Sequence, residues 1–476
     1  MNANGSTHDR AGAWREIDRV DPPKRSASER ATDFHEIYSL LDEATVRAQA
    51  SRCIQCPQPS CREGCPLANR IPDWLALAAE GKFLEAAEIS QSTSNMPEIC
   101  SRVCPQEKLC EGSCILVGHA EPICIGAIEK FINEYAFAHG DDLVKAPPAN
   151  GRRVALVGSG PGSLACADEL AKRGYAVTIF DSALVPGGLL VNGTPAFKME
   201  RSIIQRRIEI LQKRGVVFRL GVKLGESLTF GQLRKGFDAV FLGFDSRKAK
   251  PLKIPGADLQ GVTQALPFIL QKITSVPLDL PPIEVSGKRV LVLGAGDTAM
   301  DCLRTAIRYG AHEAICVYRR DEADMPCGLR EYKNAREEGA RFVFQAAPVA
   351  VLGNDQRQVT GLRLVRTELG LMESIGPRPF LIRAGSEFDM GADLVVLALG
   401  FDPEPCPHSG DFADLAVNDW GGITVDGSQM TSIPGVFAGG DIVRGPSMVL
   451  HAVRDARRAA TQIHSYLAAR GKAADA

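Results

Sequence analysis

The stretch RVALVGSGPGS at residues 153–163 decides the fold of this 476-residue chain. Its first five residues, 153–157, are mostly apolar and predict a strand, and the periodicity of 163–174 predicts a helix after the glycines. A further strand, 176–180, ends at Asp181, about 20 residues beyond the turn. Strand, glycine-rich turn, helix and acid in this order are typical of a dinucleotide-binding βαβ unit.

The first glycine-rich turn has the chemistry that a pyrophosphate needs. Glycines let the backbone approach the phosphates, and the helix N-terminus offers unpaired N–H groups and the positive end of a dipole. The acid accepts hydrogen bonds from ribose hydroxyls. A serine replaces the usual third glycine but leaves the phosphate-facing glycines intact. The predicted dinucleotide-binding residues are Gly158, Gly160, Pro161, Gly162, Ser163 and Asp181.

A second turn of the same kind, 294–299, follows the predicted strand 289–293 and has the accepted alanine at its third position. The next strand, 314–318, ends at Arg319 and Arg320, where an NAD site has an acid. Arginine suits a 2′-phosphate through its charge and its forked hydrogen bonds. The alternative for the two arginines is a solvated strand end. The predicted NADP(H)-binding residues are Gly294, Gly296, Asp297, Thr298, Ala299, Arg319 and Arg320.

A third signature lies near the end of the chain, where residues 431–441 read as a strand ending in an acid and 447–467 as a helix. This resembles the return to the flavin in two-dinucleotide reductases, with Asp441 on the ribityl chain. Gly188 fits the same site. The first unit is therefore expected to bind FAD, with the nicotinamide unit inserted within it. The alternative for Asp441 is a cap of the last helix.

Nine of the 14 cysteines lie between Cys53 and Cys124. Eight of them form two groups that each contain a Cys-Pro pair, and they resemble the ligands of bacterial ferredoxins. Eight thiolates are enough for two 4Fe–4S clusters. Structural zinc is the alternative, but zinc sites usually show two Cys-x2-Cys pairs and only one is present. The groups are Cys53, Cys56, Cys61 and Cys65, and Cys100, Cys104, Cys110 and Cys114.

Composition excludes several classes of function. A net charge of −2 gives no electrostatic footprint for nucleic acid. No uncharged apolar run approaches the roughly 18 residues of a membrane span, and the first residues lack a signal-peptide core. We therefore expect a cytoplasmic protein, in which disulfides are uncommon. The cysteines outside the two groups need no function, and Cys166, Cys302 and Cys316 are predicted to be core residues.

The predicted fold class is α/β, with two Rossmann-like domains of the two-dinucleotide flavin reductase type after a helical iron–sulfur domain. The predicted ranges are 1–35 for an extended arm, 36–145 for the helical domain with two 4Fe–4S clusters, 152–286 with 396–476 for the FAD domain, and 287–395 for the NADP(H) domain.

Several sequence blocks together resemble the small (β) subunit family of NADPH-dependent glutamate synthase, over nearly the whole chain. Related modules occur in dihydropyrimidine dehydrogenase and in ferredoxin:NADP transhydrogenase. The blocks are RCIQC at 52–56, IPDWL at 71–75, PEIC at 97–100, CEGSC at 110–114, GDTAMDC at 296–302, YRR at 318–320 and GDIVRG at 440–445.

This resemblance implies an electron-input subunit with FAD, NADPH and two 4Fe–4S clusters. NADPH would reduce the flavin, and single electrons would pass through the clusters to a large (α) subunit, or to another electron-accepting subunit. The large subunit makes glutamate from glutamine and 2-oxoglutarate. No catalytic side chain is expected, because the cofactors carry the chemistry.

The resemblance also implies how the clusters are held. One cluster takes Cys53, Cys56, Cys61 and Cys114. The other takes Cys65, Cys104 and Cys110, and Cys100 and Glu129 compete for its fourth position. In dihydropyrimidine dehydrogenase a side-chain amide does that job, at the position that matches Glu129.

The chain departs from the family pattern at Ser163, at Thr194 and at 244–247. These departures keep two alternatives open. One is a paralogous NAD(P)H:acceptor flavin and iron–sulfur reductase subunit of the transhydrogenase or pyrimidine-reducing type. The other is a redox sensor without turnover.

Overall fold

The structure is a computed structural model, and it describes residues 12–140, 147–244, 248–270, 282–371, 378–402 and 410–474. Its first part, 12–140, consists of helices and turns, as the sequence periodicity predicts. The helices are α1 (Ala13–Glu16), α2 (Ala27–Arg30), α3 (Glu43–Ser51), α4 (Ser60–Glu63), α5 (Ile71–Ala79), α6 (Phe83–Thr93), α7 (Pro97–Val103) and α8 (Ile125–His139).

The helical domain packs around the apolar face of α5. A proline in the first turn of α5 has its φ already set for a helix and gives up no intrahelical hydrogen bond. Trp74 and Leu75 on this helix are almost completely buried. They share one core with Val46 of α3, Ala86 of α6 and Ile128 of α8. Burying these side chains is the main stabilisation available to a domain that has no sheet among its described residues.

The first βαβ unit follows, as predicted. Its helix α9 begins at Pro161, directly after the glycine-rich turn. The elements are β1 (Arg153–Val157), α9 (Pro161–Ala171), β2 (Ala176–Asp181), α10 (Leu189–Asn192), α11 (Arg201–Lys213), β3 (Val217–Leu220), α12 (Phe230–Gly236) and β4 (Ala239–Leu242).

The second unit repeats the pattern and adds antiparallel strands. The elements are β5 (Lys248–Ala249), β6 (Val262–Gln264), α13 (Ala265–Leu270), β7 (Arg289–Leu293), α14 (Asp297–Arg308), β8 (Glu313–Val317), α15 (Leu329–Glu337), β9 (Arg341–Val343), β10 (Ala346–Gly353), β11 (Val359–Leu369), β12 (Phe380–Ile382), β13 (Phe388–Gly391) and β14 (Leu394–Leu397). The chain then continues through β15 (Phe401–Asp402), β16 (Val436–Ala438), α16 (Asp441–Arg444) and α17 (Val449–Ala474).

Two parallel sheets organise these elements. The first has the order β16-β4-β1-β2-β3, so β16 returns to the first unit after the second has been completed. The second sheet has the order β6-β14-β7-β8-β9. Residues 262–264 fall within the range 152–286 predicted for the first unit, whereas β6 pairs with β14 of the second sheet. Residues 262–264 therefore belong structurally to the second unit.

The helical domain shares a core with the first unit. Met96 and Ile99, on either side of the start of α7, are fully buried among apolar residues of α9, α11 and α17. Between them, Glu98 accepts two hydrogen bonds of 2.8 Å from Arg207 of α11, and both side chains are buried. The two regions are thus packed as one apolar body with a charge pair inside it.

The arm before the helical domain reaches the second unit through polar contacts. Lys24 pairs with Glu337 of α15 at 2.6 Å. Arg30, only 1 % exposed, donates from Nε to Glu338 at 3.0 Å. Arg308 of α14 donates to the main-chain oxygen of Asp33 at 2.7 Å. The sequence predicted an extended arm over 1–35, and its described part contains two short helices and a buried arginine.

Candidate functional site

The first turn is shaped for close approach to a ligand. Gly158 has φ +87°, and a Cβ on it would lie 2.8 Å from the carbonyl oxygen of Gly243. Only glycine fits this position without strain. Gly160 caps α9, whose first turn therefore presents N–H groups beyond the carboxyl end of β1. This cradle fits the pyrophosphate of a dinucleotide.

Asp181 lies at the end of β2, as predicted, and it also closes the turn. Its Oδ2 accepts hydrogen bonds from the backbone N–H of Ser159 at 2.6 Å and from the Ser159 hydroxyl at 2.5 Å. Its Oδ1 accepts from the N–H of Ala183. The Ser159 hydroxyl in turn accepts from the N–H of Gly187. Asp181 thus connects the turn to the segment that carries Gly188.

A cleft opens beside the first turn. It brings together Pro161, Gly162 and Asp441, which are far apart in the sequence. Asp441 begins α16 and accepts hydrogen bonds from the N–H and the hydroxyl of Ser447, just before α17. Asp441 therefore fits both interpretations from the sequence. It lines the cleft, as a flavin-binding residue would, and it also holds the segment that leads into the last helix.

Other residues of this cleft were not predicted as site residues, although Thr194 and Phe244 are among the departures from the family pattern. Leu190 and Thr194 contribute from α10 and the segment after it, and Gly243 and Phe244 directly follow β4. Met448 directly precedes the last helix, α17. These residues are distant in sequence and are brought together by the pairing of β16 with β4. Only a prediction of that pairing could have placed them in the site. Residues 245–247, in the departure at 244–247, lie outside the described residues.

Ser163 fits its position without opening the turn. Its hydroxyl is buried and donates to the carbonyl oxygen of Val157 at 3.4 Å. A Cβ on Gly243 would lie 2.5 Å from this hydroxyl. A third glycine would leave space at this position. Here Gly243, across the turn, has no side chain and leaves the space that the Ser163 hydroxyl needs.

The second turn has the same backbone design. Gly294 has φ +122°, and a Cβ on it would lie 2.3 Å from the carbonyl oxygen of Ala398. Gly296 caps α14, and Asp297 is its first residue. Asp297 accepts from the N–H of Gly328 at 2.9 Å. The turn and the start of α14 fit a second dinucleotide.

The two arginines after β8 have different surroundings. Arg319 is exposed, and its guanidinium lies 4.9 Å from the ring centre of Phe380. Arg320 is buried and donates from Nε to the main-chain oxygen of Arg378. Only Arg319 therefore offers its guanidinium freely to a 2′-phosphate, while Arg320 ties the strand end to the antiparallel strands.

Four thiols of the cysteine cluster influence one another electrostatically and form the first thiol set: Cys53, Cys56, Cys61 and Cys114. Burial raises the pKa of Cys53 to about 11, with the Cys56 and Cys114 thiols adding to it. Burial and the other three thiols raise the pKa of Cys61 to about 12. These are the thiols that the resemblance assigns to one cluster.

The second thiol set consists of Cys65, Cys100, Cys104 and Cys110, with the carboxyl of Glu129 beside it. Burial raises the pKa of Cys65 to about 11, and Glu129 and Cys100 add to it. A hydrogen bond with Cys100, followed by burial, raises the pKa of Cys104. Burial is the main cause that raises the pKa of Cys110, and Cys65 and Glu129 contribute. Glu129 therefore acts on three of these thiols.

Glu129 is held in place from the other side. Its Oε1 accepts from Asn69 at 2.7 Å and from the Ser90 hydroxyl at 3.0 Å. Burial raises its pKa to about 7. Cys100 has a different environment, because it lies on α7 at 4.0 Å from the Ser94 hydroxyl.

The chemistry of the donors bears on the kind of metal centre. The two sets bring together the thiols of both cysteine groups, and cysteine thiolates are the usual ligands of iron–sulfur clusters. The two sets therefore fit 4Fe–4S clusters. Within the described ranges, no three His, Cys, Asp or Glu side chains converge on a point where one ion would sit.

The remaining described cysteines are buried, as expected for core residues. Cys166 belongs to the core of the first unit, and Cys302 and Cys316 to that of the second. Cys124 is buried next to Gln49. Cys406 lies outside the described residues. None of the helices that the structure describes has the length and apolar character needed to cross a membrane.

Comparison with known proteins agrees with this arrangement. Residues 30–141 match the family described as dihydropyrimidine dehydrogenase domain II, 4Fe-4S cluster, and 152–456 match the pyridine nucleotide-disulphide oxidoreductases. Among solved structures, FprA from Mycobacterium tuberculosis in complex with NADPH superimposes with a TM-score of 0.59 at 23% identity, over 69% of this chain and 86% of that chain. This likeness confirms the fold of the two dinucleotide units.

Curated relatives cover almost the whole chain. The glutamate synthase [NADPH] small chain of Azospirillum brasilense is 43% identical over 95% of both chains. The protein of the same name from Escherichia coli is 42% identical over 95% of this chain and 98% of its own. The chain belongs to the family of NADPH-dependent glutamate synthase small chains.

Proposed function

We propose that this chain is the electron-input subunit of a glutamate synthase. The observation that carries the proposal is the position of two thiol sets in a domain that shares its core with the FAD-type unit. When bound, FAD accepts hydride from NADPH and the 4Fe–4S clusters carry single electrons onward. The chain itself binds, orients and shields these groups.

We assign the two glycine-rich turns to different nucleotides. For FAD we assign the first turn with Asp181, Gly188 and Asp441, because they line or connect to one cleft. For NADPH we assign the second turn with Arg319, whose exposed guanidinium can meet a 2′-phosphate. Arg320 supports that strand end from the inside. The proposed domain limits follow the predicted ones, except that the NADP(H) unit starts before β6.

For the clusters we assign the first thiol set to one, and Cys65, Cys104 and Cys110 with Glu129 to the other. Glu129 acts electrostatically on all three of these thiols, and both its described hydrogen bonds go to Oε1. This supports a carboxylate ligand through Oε2, with Cys100 as a neighbour.

A pair of variants tests this ligand assignment. Purified wild-type protein should contain about eight iron and eight sulfide per chain. Cys100→Ser should keep that content, whereas Glu129→Ala should lose about half of it. The opposite pattern, with iron lost only from Cys100→Ser, would assign the position to the thiol. About two zinc ions without sulfide would reject the clusters altogether.

The acceptor that we propose is the large glutamate synthase subunit. The relatives are named small chains, which supports a large partner. Beside Cys114 of the first thiol set, Ile115 and Val117 leave about half of their surface exposed. Such apolar side chains next to a thiol set suit the contact through which a partner would receive electrons.

Anaerobic titration with NADPH tests the whole proposal. The flavin absorbance should bleach on adding NADPH, and the purified large subunit should then form glutamate from glutamine and 2-oxoglutarate. A flavin that stays oxidised would point to a redox sensor. Bleaching without glutamate formation would point to a different electron acceptor.

A further inference from the structure

The polypeptide between Cys104 and Cys110, here called the cysteine loop, lies against the second dinucleotide unit. Its residues Gln106–Lys108 form a single 3₁₀ turn. Glu107 accepts a hydrogen bond at 2.8 Å from the N–H of Leu329, the first residue of α15. Lys108 donates from Nζ to the main-chain oxygens of Pro326 at 3.0 Å and Cys327 at 2.6 Å. Two consecutive residues of the loop therefore hold the segment 326–329.

This segment in turn holds the second glycine-rich turn. The N–H of Gly328 donates to Oδ1 of Asp297 at 2.9 Å, and the N–H of Cys327 donates to the carbonyl oxygen of Ala295 at 3.3 Å. Gly328 and Leu329 are the N-cap and the first residue of α15, and a glycine has no side chain with which to cap a helix. Asp297 and Glu107 instead accept from the N–H groups of Gly328 and Leu329, which have no partner within the helix.

The cysteine loop itself is fixed from within. The carbonyl oxygen of Gln106 accepts from the N–H groups of Glu111 and Gly112, and its side chain donates to the carbonyl oxygen of Ser101. Cys104, Glu107, Asp297 and Gly328 also line one small cavity. A structural change at Cys104 or Cys110 therefore has a short route to Asp297. It passes from Glu107 to Leu329 by one hydrogen bond, along the chain to Gly328, and from Gly328 to Asp297 by a second hydrogen bond.

We propose that Glu107 and Lys108 are positioning residues for NADP(H), so that NADP(H) affinity depends on Cys104 and Cys110 being held by their cluster. Neither residue touches the proposed nucleotide site directly; each acts through 326–329. By linkage, the coupling is reciprocal, so a bound nucleotide must also stabilise the cluster. The inference rests on the proposed function, because it needs the second turn to be the NADP(H) site.

The test measures NADP⁺ affinity by calorimetry on the complete protein, without turnover. Glu107→Ala and Lys108→Met should each weaken NADP⁺ binding about five- to tenfold and leave FAD content unchanged. Glu107→Gln and Lys108→Arg should recover most of the affinity, since each keeps a group that can make the hydrogen bond. Glu63→Ala is the matched control: this exposed residue lies between Cys61 and Cys65, in the corresponding stretch of the other cysteine group.

A second measurement follows the reciprocal effect. In wild-type protein, saturating NADP⁺ should slow the release of about half of the iron to a chelator, and Glu107→Ala should abolish that protection. Unchanged NADP⁺ affinity in both Glu107→Ala and Lys108→Met would overturn the inference while leaving the proposed function standing. Failure of the wild-type protein to bind NADP⁺ would overturn both.

Discussion

The two dinucleotide units have the same turn design but are attached to the helical domain in different ways. The first shares an apolar core with α7, and polar contacts such as the buried pair of Glu98 and Arg207 accompany that core. The second is held by charged and polar groups from the arm and from the cysteine loop. Apolar burial does not depend on attraction between charges, whereas exposed ion pairs are screened by salt.

The two kinds of attachment serve the two units differently. The thiol sets must keep a constant position relative to the first unit, and a common core provides that. The second unit is joined mainly through polar contacts, which range from the half-exposed pair of Lys24 and Glu337 to the buried pair of Arg30 and Glu338. The molecule therefore has one mainly apolar junction, here called the fixed junction, and one mainly polar junction.

The largest expected effect is at the fixed junction. Glu98→Gln removes the carboxylate that accepts both described hydrogen bonds from the buried Arg207, and should lower the free energy of unfolding by about 3–5 kcal/mol. Urea unfolding, followed by helical circular dichroism, measures this change.

The matched control is Asp389→Asn, which breaks the half-exposed pair with Arg363 and should cost about 0–1 kcal/mol. Equal losses in the two variants would show that the buried pair has no special role at this junction.

The next effect concerns the strand ends of the two units, Asp181 in the first and Arg319 in the second. Arg319→Ala should weaken NADPH binding by about 1.5–3 kcal/mol, or roughly 10- to 150-fold, and should change NADH binding little. Steady-state KM values and calorimetric Kd values for both nucleotides measure it.

Arg320→Ala is the companion variant, because this neighbouring arginine is buried against the backbone. This variant should lower the stability of the protein and weaken the binding of NADPH and NADH to a similar degree. If NADPH binding were lost selectively in Arg320→Ala and unchanged in Arg319→Ala, Arg320 would be the residue that contacts the 2′-phosphate.

The smallest effect tests how the first turn differs from the usual glycine pattern. Ser163→Gly removes one hydrogen bond of 3.4 Å and places glycine in the first turn of α9, at a cost of about 0.5–1 kcal/mol in stability. FAD affinity should change less than about threefold, because the phosphate-facing glycines stay the same. Flavin content after gel filtration measures this, and loss of flavin would support the prediction that the Ser163 side chain binds the dinucleotide.

Local sequence predicted the strands and helices around both turns, because apolar periodicity and glycines are local signals. It also selected the thiols of both sets. It did not predict that β6 joins the second sheet, since a three-residue strand has too few residues to show a pattern. Nor could it select Glu107 and Lys108, whose partners lie more than 200 residues away and whose roles depend on the packing of two domains.

The arm has a consequence for the order in which the molecule is built. Arg30 bonds to Glu338, 308 residues later in the chain. At roughly 5–20 residues per second, the ribosome needs about 15–60 s to supply that partner. During this interval the arm has no docking site on α15, and its charged, polar composition keeps it from associating with unfinished chains. Docking of Arg30 therefore becomes possible only when the second unit has been synthesised as far as the end of α15.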